Sequence, residues 1–221
     1  SLRGADDGIE QIVDALRDTG QLDDTVIIFT SDNGFLLGEH GQYGKSTYWA
    51  EAMTVPLLIR GPGFAAGVVE EAPVQNIDLA PTIADLAGAE PMITVDGQSL
   101  LDAISPDRGL FFESKRDDPG DPLWEGVRSD RFVFVEAERR SLLWDMEVDP
   151  WQLNDLIDDP AYDAVQAALE AELDAVRDCA GAACSFEIDN EHLASLVAAG
   201  PTTTTTTTST TTTTSTTTTT V

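Results

Sequence analysis

The apolar run TVIIFT (25–30), followed at once by the glycine-rich loop SDNGFLLGEHGQYGK (31–45), constrains this chain more than any other stretch. A run without polar alternation and dominated by β-branched residues fits a strand covered on both faces. Gly34, Gly38, Gly41 and Gly44 break any helix after it and let the backbone approach a ligand closely. Asp32 and Asn33 therefore stand where the strand ends, the edge at which open α/β sheets carry their ligand sites. A carboxylate beside an amide oxygen suits a hard cation, Ca²⁺ or Mg²⁺. Lys45 can meet an anion as a point charge. A plain polar turn of the Asx kind, closing a strand, stays open as the alternative.

Around this loop the chain alternates helix and strand signals. Ile9, Ile12, Val13 and Leu16 at helical spacing predict an amphipathic helix over 6–19, ended by Gly20. Asp6 and Asp7 then read as favourable charge at its start rather than as ligands. A short helix is expected over 46–53 and a second buried strand in VPLLIRG (55–61), closed by GPG. In NIDLAPTIADLAG (76–88), Asp78 reads as the N-cap of a helix that stops at Gly88. Residues 89–109 are loop-rich. From 110 to 145, LFFES, GVRSD, RFVFVEA and SLLWDM are short strand signals separated by turns, an antiparallel meander. Val165, Leu169, Leu173 and Val176 predict a covering helix over 161–177.

Several of these segments together resemble the sulfatases, a family of the alkaline-phosphatase-like superfamily. The residues that carry the resemblance are DDTVIIFTSDNGFLLGEHGQYGKSTYWAEAMTVPLLIRGPGF, then NIDLAPTIADLAG, DGQSLLDAI (96–104), GVRSDRFVF (126–134) and LWDMEVDPWQLNDL (143–156). With the preceding ADDGIEQIVDALRDTGQLDDT they cover roughly residues 5 to 177. The resemblance implies an α/β fold: part of a large mixed sheet with flanking helices in an alkaline-phosphatase-like sandwich, plus a small C-terminal antiparallel sheet with a covering helix. On this basis residues 1–104 are expected to belong to the catalytic domain, 105–178 to the C-terminal subdomain, 179–200 to an irregular segment and 201–221 to a tail.

The resemblance also implies chemistry. Asp32 and Asn33 match a metal-ligand pair, with Ca²⁺ the usual ion and Mg²⁺ the second choice, and Lys45 matches the lysine that contacts the sulfate group. His40 either binds an oxygen or protonates the leaving alcohol, or it shapes the loop and lines the pocket. Glu39 reads as an acceptor that steadies the loop. The family's nucleophile, a formylglycine made in a C/S-x-P-x-R motif, is expected upstream, because no such motif occurs in these 221 residues. The chain is accordingly expected to be the C-terminal part of a sulfatase and to turn over no sulfate ester alone. A phosphoesterase or phosphonate monoester hydrolase of the same superfamily is the second reading, and a non-catalytic glycan-binding surface module the third.

Charge narrows the partners. Twelve basic against 40 acidic residues give a net charge of −28, which argues against nucleic acid or an anionic membrane surface. A sulfated small molecule or glycan would be repelled at long range, so a site for it needs local positive charge. Only two lysines occur, Lys45 and Lys115, so a lysine at the motif position is hard to ascribe to chance. No run is long and apolar enough to insert into a membrane. From Thr202 to Thr220 every residue is Thr or Ser; such a tract cannot bury a core and is expected to be disordered, in the manner of the glycosylated stalks of exported proteins. Secretion or cell-surface display would also permit a local disulfide between Cys179 and Cys184. Trp49, Trp124, Trp144 and Trp151 read as packing residues, and Arg128 as a structural ion-pair partner.

Overall fold

The computed structural model describes residues 2–114 and 124–198; Lys115 and the Thr/Ser tail lie outside them. Helix α1 (Leu2–Asp18) starts about a turn earlier than its apolar spacing suggests, so Asp6 and Asp7 sit beyond its first turn. Its apolar stripe is uncovered: none of its residues is buried, and Ile12 is 60% exposed. An amphipathic helix draws most of its stability from burying that stripe, of which only Val13 and Leu16 are even half-buried here.

Strand β1 (Ile27–Phe29) is shorter than the apolar run, and it pairs antiparallel with β4 (Leu58–Arg60), placing Ile28 opposite Ile59. The expected burial on both faces is not observed: β1 is half-buried and Phe29 is 41% exposed. The reason is local. A two-stranded ribbon covers neither of its faces by itself. Between these strands lie a two-residue hairpin, β2 (Leu36–Leu37) with β3 (Tyr43–Gly44), and the single-turn helix α2 (Ala50–Met53).

The meander forms in full. Strands β5 (Leu110–Ser114), β6 (Trp124–Arg128), β7 (Phe132–Ala137) and β8 (Arg140–Asp145) pair antiparallel in chain order. Period-two alternation sends Val127, Phe132, Phe134 and Leu143 to one face, where α4 (Asp163–Val176) covers them with the four apolar residues its spacing singles out. Trp124, Val133, Val135, Leu142 and Trp144 line the other face and pack against Tyr48 and Trp49. Three tryptophans are thus packing residues; Trp151 is exposed instead.

Helix α3 (Leu79–Leu86) begins at Asp78, but the Asp78 carboxylate does not cap it. Fully buried, it takes both guanidinium arms of Arg108 at 2.7 and 2.8 Å, plus the backbone N–H of Gln75 at 2.7 Å and of Gln98 at 2.8 Å. Helix α5 (Asn190–Leu196) closes the described chain, capped by Asp189, whose carboxylate accepts from the His192 N–H.

Cys179 and Cys184 form a disulfide. It closes a loop of sequence separation 5, so the chain-entropy argument assigns it about 2 kcal/mol. Reduction with dithiothreitol is expected to lower the urea-unfolding free energy by that amount, with the four-stranded sheet still folded by circular dichroism.

Candidate active site

The loop after β1 is built from its own backbone. Ser31 Oγ donates to the Asn33 carbonyl at 2.9 Å, and the Asn33 N–H donates to Asp32 Oδ1 at 2.9 Å. This is not an Asx turn, because the next amide, Gly34 N–H, goes instead to the Ala52 carbonyl of α2 at 2.9 Å. That approach requires glycine. A Cβ on Gly34 would lie 2.0 Å from the Glu51 carbonyl oxygen, a backbone atom that cannot swing away. Gly34→Ala is therefore expected to destabilise the protein by about 1–3 kcal/mol, as overpacking does, and to displace the loop from α2. Thermal melting and the amide signals of residues 31–36 would record both effects.

Asn33 turns its amide so that Nδ2 donates to the Gly34 carbonyl at 2.7 Å and Oδ1 faces Lys45. Lys45 Nζ, arriving from the strand after the loop, donates to Asn33 Oδ1 at 2.6 Å and lies 3.9 Å from Asp32 Oδ2. Acid, amide and amine thus converge on one point. The side chains of Asp32 and Lys45 are 85% and 52% exposed, and an ion pair that open to water contributes on the order of 0–1 kcal/mol. The arrangement therefore contributes little to stability. From beneath, Asn76 Nδ2 donates to the carbonyls of Ser31 and Asp32, both at 3.2 Å, and so fixes the strand end.

Glu39 accepts from the Leu37 N–H. Hydrogen bonds from its own backbone N–H and from that of Leu37 hold its carboxyl below the ordinary carboxylate range, even though the group is exposed. His40 has a left-handed backbone, φ 53°, which aims its ring inward. The imidazole stacks on Trp49 at 3.8 Å between centroids and 5° between planes, and its side chain is 8% exposed. Nε2 lies 3.4 Å from Glu51 Oε2, outside good hydrogen-bond geometry. Trp49 in turn meets Trp144 of β8 at 5.1 Å, and Gln152 Oε1 accepts from the Ala50 N–H at 2.7 Å. The structure therefore brings Asp32, Asn33 and Lys45 together and seats His40 in an aromatic stack that carries the loop on the meander.

Asn76, Glu51 and Gln152 escaped the sequence reading. Gln152 lies 102 positions from Ala50, and no local pattern announces such a bond. Asn76 lies in a segment where the local capping rule singles out Asp78 instead. A cleft of about 830 Å³ opens beside the loop, with Asp32, Asn33, Tyr48, Gln75, Asn76 and Arg128 in its wall.

Among known families, the sulfatase profile matches residues 1–89. The chain is 35% identical over 173 residues to a choline-sulfatase of Rhizobium meliloti (strain 1021), covering 75% of this chain and 33% of that protein. A solved phosphonate monoester hydrolase from Silicibacter pomeroyi superposes with a TM-score of 0.67 at 34% identity, over 75% of this chain and 37% of that one. A second structure, described as a complex with its substrate D-glucosamine-2-N,6-O-disulfate, gives 0.72 at 28% identity, over 79% and 38%. The chain thus spans between a third and two-fifths of the length of these relatives.

Proposed function

Because this chain belongs to the sulfatase family, within the alkaline-phosphatase-like superfamily, we propose that its strand-end loop is part of an active site that hydrolyses sulfate esters. The observation that carries the reading is the meeting of Lys45 with Asn33 and Asp32. In a chain of net charge −28, an oxyanion approaches only where positive charge is concentrated locally. Lys45 is the group on this loop that supplies it.

A metal fits this loop in kind and not in number. Asp32 and Asn33 offer hard oxygen donors of the type Ca²⁺ and Mg²⁺ prefer, but such ions take six or more, and the described residues form no cluster of three or more His, Cys, Asp or Glu around them. Asp32 and Asn33 would hold the ion jointly with donors from outside the described residues. When bound, it would supply charge neutralisation at the sulfate oxygens. The residues of the chain do the rest. Lys45 donates to a sulfate oxygen and is worth most as negative charge grows toward the transition state. Asn76 keeps the strand end fixed, so the donors need little rearrangement. His40 positions the loop through its stack on Trp49 and leaves proton transfer to another group. On this reading the formylglycine that the family implies is not supplied by the residues of this loop.

On this reading residues 1–104 form the catalytic part and 105–178 the small C-terminal subdomain, and the substrate is a sulfated small molecule or glycan. Export to the cell surface or beyond agrees with the observed disulfide. A phosphonate monoester hydrolase is the second reading, favoured by the 34% identity to the solved enzyme of that name. Calorimetric titration of the chain with phenyl sulfate and with a phenyl phosphonate monoester separates them. Tighter binding of the sulfate, lost in Lys45→Ala, supports the first; the reverse order supports the second. Affinity for either that ignores Lys45 contradicts both.

A further inference from the structure

Arginines in a strongly acidic protein are expected to be claimed by carboxylates, and most here are. Arg108 holds Asp78, Arg131 holds Asp145, and Arg177 holds Glu125, Glu136 and Asp174. Arg128 does not follow them. Its half-buried guanidinium makes no hydrogen bond or ion pair within the described residues, although the sequence led us to expect a structural pairing. Burial lowers its affinity for the proton, with Asp130 opposing the effect only through space. A guanidinium carries five donors, and those of Arg128 remain open to water and to whatever enters the cleft.

Its place in the fold says what that partner could be. Arg128 follows Trp124 and Gly126 at period two on β6, so it lies on the same sheet face as Trp124, and it pairs in register with Val133 of that face. This face packs against Tyr48 and Trp49, three and four positions after Lys45. A second path links the two. Asn76 holds Asp32, Gln75 Nε2 donates to the Phe111 carbonyl at 3.4 Å, and β5 sets Leu110 opposite Arg128. Arg128, Asp32 and Asn33 thus share the wall of one cleft. Arg108 and Arg177 also reach it, but their carboxylates have already claimed them.

Building on the proposed hydrolase site, we infer that Arg128 is a second anion-binding point in the cleft, taking a sulfate or carboxylate that the substrate carries in addition to the ester being cleaved. The preferred substrate is then polyanionic, a multiply sulfated or uronate-bearing glycan, rather than a simple monosulfate. The planar fork of an arginine suits two oxygens of such a group, and a half-buried cation gains more from it than a fully exposed one would.

The test titrates the chain calorimetrically with a monosulfated disaccharide and with its disulfated counterpart, comparing wild type, Arg128→Gln and Lys45→Ala. Wild type should bind the disulfate on the order of tenfold more tightly, a ratio worth about 1.4 kcal/mol. Arg128→Gln should bring that ratio to near one and leave monosulfate affinity unchanged, while Lys45→Ala should weaken both ligands. An unaltered ratio in Arg128→Gln overturns the inference and leaves the active-site reading standing. Indifference of both ligands to Lys45→Ala overturns the active-site reading itself. Should Arg128→Gln fail to fold, the Nε–Hε resonance of Arg128 in the wild-type chain decides: it shifts with the disulfate and not the monosulfate, or the inference is wrong.

Discussion

Asp78→Ala is expected to lower the unfolding free energy by about 3–5 kcal/mol. The carboxylate is fully buried and its two oxygens receive four donors: both arms of Arg108 and the amides of Gln75 and Gln98. Truncation leaves a buried guanidinium without its counter-charge and two N–H groups without acceptors. Against a typical total of about 5–15 kcal/mol, such a loss brings the protein close to unfolding. Asp78→Asn keeps the shape and part of the hydrogen bonding, so it should cost less, though the charge of Arg108 stays uncompensated. Replacing Asp78 and Arg108 together by apolar residues removes both charges, yet it should not restore stability in full, because the Gln75 and Gln98 amides remain orphaned. Urea midpoints of the three variants give the order. The effect extends to the site, since the same turn, Asn76–Asp78, carries the Asn76 amide that holds the carbonyls of Ser31 and Asp32.

Lys45→Ala is expected to reduce kcat/KM for sulfate-ester hydrolysis by about 10²–10³ in the protein that carries the whole catalytic apparatus, the usual cost of deleting one oxyanion-stabilising donor. The loss should fall mainly on kcat, because Lys45 gains most as charge accumulates on the sulfate oxygens. Stability should hardly change. The ammonium is half exposed and its pairing with Asp32, at 3.9 Å in open solvent, contributes little to folding. Lys45→Arg keeps the charge and changes its shape, and a partial rescue is expected. A melting temperature unchanged beside a collapsed rate would separate a chemical role for Lys45 from a structural one.

How much of this was legible in the sequence depended on how local the cause was. The meander and its covering helix followed from alternation and from four apolar residues at helical spacing, and they formed as expected. The disulfide was readable from two nearby cysteines in a chain with no others. The convergence of Lys45 on Asn33 was foreseeable because both lie in one motif-bearing loop, twelve positions apart. Long-range bonds were not foreseeable. Asp78 looked like a helix cap because capping is a local rule, whereas its actual partner, Arg108, lies 30 positions away. Gln152, Glu51 and the stack of His40 on Trp49 depend on how the meander docks against the loop. The uncovered stripe of α1 and the half-exposed β1 show the same limit from the other side: apolar periodicity says that a face seeks burial and not what supplies the cover.

The central claim, that Asp32, Asn33 and Lys45 make one cation-and-oxyanion pocket, is tested most directly by titrating sulfate into this chain with and without Ca²⁺. Two ligands that share a pocket must alter each other's affinity reciprocally. Ca²⁺ is expected to tighten sulfate binding, Asp32→Ala to remove that enhancement, and Lys45→Ala to weaken sulfate binding whether or not Ca²⁺ is present. Sulfate affinity that is indifferent to Ca²⁺ and unaltered in both variants would contradict the account.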